Sequence, residues 1–371
     1  MNRVKTTAGV MLVIAMCLGG TTVQAQTSTI VPTVSDLAQG WVFGYRDNTP
    51  VLMHHVGRTW TPIKVPQPPT LLSDVNNSDG LSNVAMIFSS RTTGFLAWKL
   101  PNRNMIRVLS TTNAGSSWNV HSFTVPKSVW DVSQVDLLNG RDAWIQLQGQ
   151  GVTGSLPSWL YKTTNGGKSW SQNGNTGKLM RNADGATMYF ASPTTGWWAF
   201  PNVLNTGVYL YQTRNGGNTW AKISLPDPLT KSISTSVLSL SGRGNIVTFL
   251  DDLEVTGLKT IPVLYTSDNG GATWKYHILA RFSGTYISSF EGRYGWIVAD
   301  GKLYYTKNQG ASWTQVVSSQ FANLARMNHV TGISMTSPKD GQLILSEKGM
   351  PNHTEIYTTF NAGRSWEPAI R

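Results

Sequence analysis

Hydrophobic residues along this chain fall in short alternating runs, each closed by Gly, Asn, Ser or Pro. One class of run follows a Gly or stands in its place: Gly40-Trp-Val-Phe, Gly94-Phe-Leu-Ala-Trp, Ala143-Trp-Ile-Gln-Leu, Gly196-Trp-Trp-Ala-Phe, Ile246-Val-Thr-Phe-Leu, Gly295-Trp-Ile-Val and Gln342-Leu-Ile-Leu. A second class ends in Thr or a similar residue, as in Ile106-Arg-Val-Leu-Ser-Thr, Trp159-Leu-Tyr-Lys-Thr, Val208-Tyr-Leu-Tyr-Gln-Thr and Leu303-Tyr-Tyr-Thr. A further apolar stretch precedes the first class, as at Val84-Ala-Met-Ile-Phe-Ser. An extended segment closes the unit, as at Val120-His-Ser-Phe-Thr-Val. Alternation with β-branched and aromatic residues predicts strands. No segment sustains a 3.6-residue apolar period, which predicts little helix. Each unit thus reads as four short strands.

A short phrase stands between the third and fourth runs. Its clear copies are Asn113-Ala-Gly115-Ser-Ser-Trp118, Asn165-Gly-Gly167-Lys-Ser-Trp170, Asn215-Gly-Gly217-Asn-Thr-Trp220, Asn269-Gly-Gly271-Ala-Thr-Trp274, Asn308-Gln-Gly310-Ala-Ser-Trp313 and Asn361-Ala-Gly363-Arg-Ser-Trp366. A seventh, His55-Val-Gly-Arg-Thr-Trp60, carries His where the others carry Asn. Successive tryptophans lie 58, 52, 50, 54, 39 and 53 residues apart, a spacing typical of repeat architectures. The phrase reads as a hairpin turn plus an anchor. Asn can bond its own turn and tolerate left-handed geometry, Gly supplies positive φ, the Ser or Thr hydroxyl can satisfy a turn amide, and Trp packs on the blade. Seven units of four antiparallel strands predict an all-β fold, a seven-bladed β-propeller of four-stranded antiparallel blades, from about residue 30 to 371.

These phrases resemble the Asp-box, or BNR, repeat, Ser/Thr-x-Asp-x-Gly-x-Thr-Trp. That repeat occurs in sialidases, some secreted glycoside hydrolases, sortilin-type receptors and photosystem II assembly-factor-like propellers. The recurring Gly-Trp strand is most similar to the assembly-factor-like group. The resemblance implies that each box closes the turn between third and fourth strands, away from any catalytic centre. It also implies that Asn for Asp, and His55 at the first box, leave the turn role intact.

Outside the repeats, residues 1–25 read as a secretory signal. Arg3 and Lys5 precede an apolar run, Val10 to Leu18, and Val23-Gln24-Ala25 predicts cleavage after Ala25. A lipid anchor on Cys17 is the rival reading, opposed by Met16 where a small residue is expected. Cys17 is the single cysteine, so an exported chain has no disulfides, zinc-thiolate sites or cysteine nucleophile. No later stretch predicts a transmembrane helix. Without Arg3 and Lys5 the chain keeps 28 basic and 19 acidic residues, a formal charge of +9. A weakly charged basic surface suits an anionic polymer, lipid headgroups or an acidic partner, and few carboxylates suit low pH.

Candidate chemistry is thin. A sialidase needs an arginine triad, a Tyr–Glu pair and an acid. The Phe/Tyr-Arg-Ile-Pro segment is missing, and Gly44-Tyr45-Arg46-Asp47 lacks the Ile-Pro. Tyr286 with Glu291 is a weak nucleophile–base pair. Glycosidase carboxylates could come from Asp131, Asp136, Asp184, Asp251, Asp252, Glu254 or Asp300, and spacing selects no pair. Asp251-Asp252-x-Glu254 reads as an exposed acidic loop, with calcium as the alternative. The histidines show no metal-ligand spacing beyond adjacent His54 and His55, which a strand would point to opposite faces. No phosphate loop, nucleic-acid motif, metal site or cofactor is predicted.

Propeller topology puts first and third turns on one face. First-turn residues include Arg91, Arg141, Arg243, Arg293 and Lys339; box turns carry Arg58, Lys168, Arg214, Lys307 and Arg364. Against these ten stand Asp142, Asp268, Glu291 and Asp340, so the box-turn face is the predicted basic face. Its alternative is that turns are simply where charge resides. The opposite face carries longer connections, Pro126 to Trp130, Gly149 to Trp159, Pro226 to Ser234 and Gln320 to His329. Trp130 and Trp159 there could stack on sugars or, as the favoured reading, pack between blades. The expectation is a secreted, monomeric, non-catalytic scaffold for a protein or anionic partner. A glycan is a further partner class, and the alternative function is an extracellular glycan-active hydrolase of sialidase or glycosidase type.

Overall fold

In a computed structural model, the described residues are 31–370 except 37–38, 47–48, 57–58, 70–83, 150–156, 175, 177–185, 201–207, 229–231, 256–259, 283–285, 336 and 349. The signal segment, Cys17, Asp184 and Arg58 lie outside them. The described residues form twenty-eight strands, β1 to β28 in chain order, grouped into seven four-stranded antiparallel sheets of strictly consecutive strands. Seven blades of this kind make the propeller. Contacts run from the first strand of one blade to the first strand of the next, so first strands are innermost and fourth strands lie at the rim.

The Gly-aromatic run is the second strand of each blade, and close packing explains both of its residues. A Cβ on Gly94, Gly196 or Gly295 would fall 2.1–2.5 Å from the ring of Phe88, Phe190 or Phe290 on the same blade's first strand. The following aromatic then lies flat on the next blade's Phe. Trp41 stacks on Phe88 with ring centroids 4.0 Å apart, and Trp144 on Phe190 at 3.7 Å. Fully buried large rings at this interface contribute about 2–3 kcal/mol each from area alone.

Chain ends meet without sharing a strand. Blade 1 runs Val31–Asp36, Trp41–Arg46, Thr49–Val56 and Thr59–Ile63; blade 7 runs Asn328–Met335, Gly341–Glu347, Met350–Thr359 and Glu367–Ile370. Val42 and Met53 of the first pack on Ile344 and Ile356 of the last. The ring therefore closes by side-chain packing.

One connection differs from expectation. The segment from Gln320 to His329 is mostly a helix, α1 (Ser319–Met327), with Ser318 as N-cap accepting from the Phe321 amide. Phe321 is buried beside Trp366, and Gln320 pairs with both backbone groups of Trp366. A nine-residue helix shows too few turns for its periodicity to stand out from flanking strands.

Candidate binding face

The six Asn boxes share one hydrogen-bond pattern, and it differs in part from the sequence reading. In blade 2, Asn113 Oδ1 accepts from the Ser117 amide at 3.0 Å, and Asn113 Nδ2 donates to Ser117 Oγ at 2.8 Å. The box hydroxyl is thus held by Asn and does not cap an amide. That work falls to Thr111, two residues before Asn, whose Oγ1 accepts from the Asn113 and Gly115 amides at 3.3 and 2.9 Å. The same set recurs at Asn165, Asn215, Asn269, Asn308 and Asn361, with Thr163, Thr213, Ser267, Thr306 and Thr359 in the Thr111 role. The indoles of Trp220, Trp274 and Trp366 donate to the carbonyls of their own box glycines, Gly217, Gly271 and Gly363, at 3.0–3.1 Å.

The residue after each box Asn has positive φ, from 55° at Ala114 to 73° at Gly166. That conformation aims its amide at the first turn of its own blade. Ala114 donates to Thr92 O at 2.9 Å, Gly166 to Arg141 O at 3.0 Å, Gly216 to Thr194 O at 2.7 Å, Gly270 to Asn245 O at 2.8 Å, Gln309 to Arg293 O at 2.9 Å and Ala362 to Lys339 O at 2.7 Å. Its carbonyl faces the preceding blade. Gly166 O accepts from Ser110, Gly216 O from Trp144 and Asn173, and Gly270 O from Gln212. Each box therefore latches first turn to third turn and blade to blade, which makes this face a continuous rim.

The first box is a correction. His55 donates its amide to Gly40 O at 2.8 Å, so it sits opposite the strand-2 glycine, where Thr111 faces Gly94. It replaces the Thr of other boxes, not the Asn. Four residues separate His55 from Trp60, against six between Thr111 and Trp118. Val56 pairs directly with Thr59, so the turn is a shorter hairpin and the box bonds are not made there. His54 and His55 do point apart. His54 stacks on Trp41 at 3.9 Å and His55 on Trp60 at 5.0 Å. Both are buried; burial, then the Arg91 charge, holds each below the ordinary imidazole range, and for His54 the neighbouring His55 adds to this.

The basic residues named from sequence stand where topology put them. Arg91, Arg141, Arg243, Arg293 and Lys339 lie at first turns, and Lys168, Arg214, Lys307 and Arg364 at box turns, all exposed. Acids on these turns are engaged locally. Asp142 accepts from the Asn139 amide group at 3.2 Å and Asp340 from the Ser337 hydroxyl at 2.9 Å. Asp268 accepts from Gln309 at 2.7 Å and pairs with Lys275 at 3.6 Å. Side-chain placement of Glu291 lies outside the described residues. Sequence reasoning missed Lys162, one residue before the box Thr. Its Nζ lies 5.0 Å from the Trp144 ring and donates to Pro193 O of the next blade at 2.9 Å, adding a cation to the same rim. Burial lowers its pKa, with Asp142 opposing.

Carboxylates suggested for catalysis are placed otherwise. Asp251 and Asp252 lie in β18 (Ile246–Val255) and are buried, not in an exposed loop. Their polar triplet masked a strand whose Val, Phe and Leu neighbours set the burial. Asp136, in β9 (Val129–Leu137), accepts from the Phe190 amide at 2.5 Å, and Gln134 pairs with both backbone groups of Met188. They serve as side-chain partners for the free edge of β13 (Thr187–Phe190). Burial pushes Asp136 up to about 7 and Asp131 up to about 8, against the Phe190 and Leu137 amides for Asp136, and the Val132 amide and Lys99 for Asp131. Tyr286 and Glu291 stand at opposite ends of β21 (Tyr286–Glu291). Trp159 packs into the cluster shared by blades 2 and 3, as favoured. Trp130 does not: a bulge in β9 leaves it unpaired and 54% exposed.

Among the described residues no helix is long and apolar enough to cross a membrane. No family profile matches the chain, and no curated protein does. Among solved structures it is similar to the polysaccharide lyase Uly1, with a TM-score of 0.54, 10% identity, and 92% of this chain and 94% of that one covered. It is also similar to YCF48 bound to a D1 peptide, at 0.38, 17%, 76% and 93%, and to the Hadza microbial sialidase Hz136, at 0.43, 12%, 78% and 65%. At these identities the lyase likeness speaks to the fold alone, and the two looser ones carry no argument. What this chain shares with known structures is the propeller.

Proposed function

We propose that this chain is a secreted, non-catalytic propeller whose box-turn face docks an anionic partner. The observation that carries the reading is the rim: nine exposed Arg and Lys residues on turns tied to one another by backbone bonds, with the neighbouring acids Asp142, Asp268 and Asp340 held in local contacts. Fixed turns hold the cations in a set geometry, so binding needs less ordering of the backbone. Exposed charges act mainly through long-range attraction, which salt screens over about 8 Å at physiological strength. Burial of Asp136 beneath the Phe190 amide, away from any open cleft, weighs against a carboxylate pair at work there.

The test reverses Arg141, Arg243 and Arg293 to Glu and measures binding of heparin-like and acidic-protein probes at several salt concentrations. Expected is a loss of affinity of about tenfold or more at low salt, with a flattened salt dependence. Unchanged binding would end the reading. A panel of sialosides and polysaccharides is assayed in parallel. Turnover abolished by one carboxylate substitution would replace it with a glycan-active hydrolase.

A further inference from the structure

A groove of about 470 Å³ lies on the outer flank between blades 5 and 6. One wall is β20 (Lys275–Ile278), the rim strand of its sheet, followed by a single helical turn, Ala280–Phe282. The other wall is the box turn from Gly310 to Trp313. It is separate from the basic rim described above, and no residue proposed for that face lines it.

Three features of the groove bear on what it could hold. First, Tyr276 and Ile278, two apart on a strand and so on one side, are 38% and 43% exposed. They offer an aromatic and an aliphatic surface that the fold leaves uncovered. Second, the Arg281 guanidinium lies 5.0 Å from the Phe282 ring and 4.7 Å from the Tyr304 ring, both rings buried. Cation–π contact fixes the plane of this exposed group. Among the described residues Arg281 makes no hydrogen bond or ion pair, so its fork of N–H donors is unspent. Third, Ser312 Oγ accepts from Asn308 Nδ2 at 2.9 Å, which leaves its own proton to donate. Beside it, burial and then Lys275 hold His277 below the ordinary imidazole range, and a neutral ring can accept from a hydroxyl.

We propose that this groove binds an acidic sugar unit, a pyranose ring bearing one carboxylate. Arg281 would take the carboxylate in a two-point contact, Tyr276 the C–H face of the ring, and Ser312 and His277 its hydroxyls. A planar guanidinium with free parallel donors matches a carboxylate better than any neutral group. No acidic side chain lines the groove to compete. A phosphate fits less well: the Gly310 amide already donates to Thr306 Oγ1 at 3.0 Å, so the turn has no amide cradle at that position to offer.

The experiment is calorimetric titration of the folded chain with glucuronate- and galacturonate-containing oligosaccharides and with their neutral glucose and galactose counterparts. Three variants are compared: Arg281→Gln, Arg281→Lys and Tyr276→Ala. The box-face triple reversal of Arg141, Arg243 and Arg293 serves as control, and tryptophan fluorescence confirms folding of each. Expected is binding of the acidic series alone, weakened about tenfold or more by Arg281→Gln and Tyr276→Ala. Arg281→Lys restores little, because it keeps the charge and loses the fork. The triple reversal leaves this binding in place. Equal binding of neutral sugars, loss in the triple reversal but not in Arg281→Gln, or no binding of either series would each overturn the proposal.

Discussion

The seam that closes the ring and the junction between blades 2 and 3 are made of the same strands in the same order, yet they differ in how they are held. Between blades 2 and 3 the described residues place Phe95, Ala97, Ile106 and Val108 against Val129, Val132, Val135, Ile145 and Leu147, with Trp159 and Trp170 packed at the edge. Across that junction Ser110 also donates to Gly166 O of the next box at 3.0 Å. At the seam the buried cluster is Val42, Met53, Ile344 and Ile356. Blade 1 brings no Asn box, its turn is two residues shorter, and His54 stands where Ser110 does. The Nε2 of His54 is buried and makes no hydrogen bond. The lesson is that the box is a connector between blades as much as a turn, and that the ring is weakest where one box is shortened.

Changes inside a full box should break this contrast most strongly. Gly217 has φ of 98°, and a Cβ there would lie 2.6 Å from Asn173 Nδ2 and 2.8 Å from Leu160 Cδ2 of the preceding blade. Gly217→Ala combines a left-handed strain with overpacking, each about 1–2 kcal/mol, and pushes on the Asn173 bond to Gly216 O. Expected is a loss of about 2–4 kcal/mol in denaturant unfolding. The matching change in blade 1, Thr59→Ala, removes one exposed bond from Thr59 Oγ1 to Val56 O at 3.2 Å and should cost about 0.5 kcal/mol or less. Similar costs at both turns would mean the full box holds nothing that the short one lacks.

Next in size are large-to-small changes at the two junctions. Leu147 and Ile344 are both essentially buried. Leu147→Ala should cost about 2–5 kcal/mol and lower the midpoint of a single cooperative transition. Ile344→Ala should cost about 2 kcal/mol, because a smaller cluster has fewer neighbours to lose. Hydrogen exchange distinguishes them further. With Ile344→Ala, faster exchange should be confined to blades 1 and 7, as a locally opening seam requires. Uniform acceleration around the ring in both variants would show that the seam is no weaker.

Much of this architecture was legible in the chain, because the box and the Gly-aromatic strand are local patterns with local causes. Glycine at positive φ, Asn over its own turn and a strand glycine beneath Phe88 all follow from residues close in sequence or from a repeat. The exposed cations were legible for the same reason, since topology alone assigns turns to faces. What escaped was set by geometry that sequence spacing does not carry. The latch from Gly166 to Arg141 O is backbone to backbone and leaves no side-chain signature. His55 was matched to Asn because Gly-x-Thr-Trp aligns the tail of the phrase, whereas pairing across Gly40 decides the register. Asp251 and Asp252 looked exposed because three acids stood together, though their strand is buried. Arg281 offered no signal at all, since its two ring neighbours come from different strands of the fold.

The finest test of the comparison uses pH, because the two regions should respond in opposite directions. Burial, together with Arg91, keeps His54 and His55 below their ordinary value of 6.5, so the folded state prefers them neutral. A group depressed on folding lends stability above its unfolded pKa and loses it as pH falls through the folded value. Blade 1 should therefore loosen on acidification below about 6.5. Asp136 runs the other way. Its folded value is raised from 3.8 to about 7, chiefly by burial, so its contribution is complete below 3.8 and is lost as pH rises through about 7. The join of β9 to β13 should accordingly tighten as pH falls. Hydrogen exchange of amides in blade 1 and in β13, corrected for intrinsic rates at pH 5 and pH 8, reads both at once. Less protection at pH 5 in blade 1 with more in β13 is expected. Asp136→Asn, which keeps an acceptor for the Phe190 amide without a charge, should flatten the second trend and leave the first. Protection that moves the same way in both regions would mean that global charge, not these buried groups, sets the response.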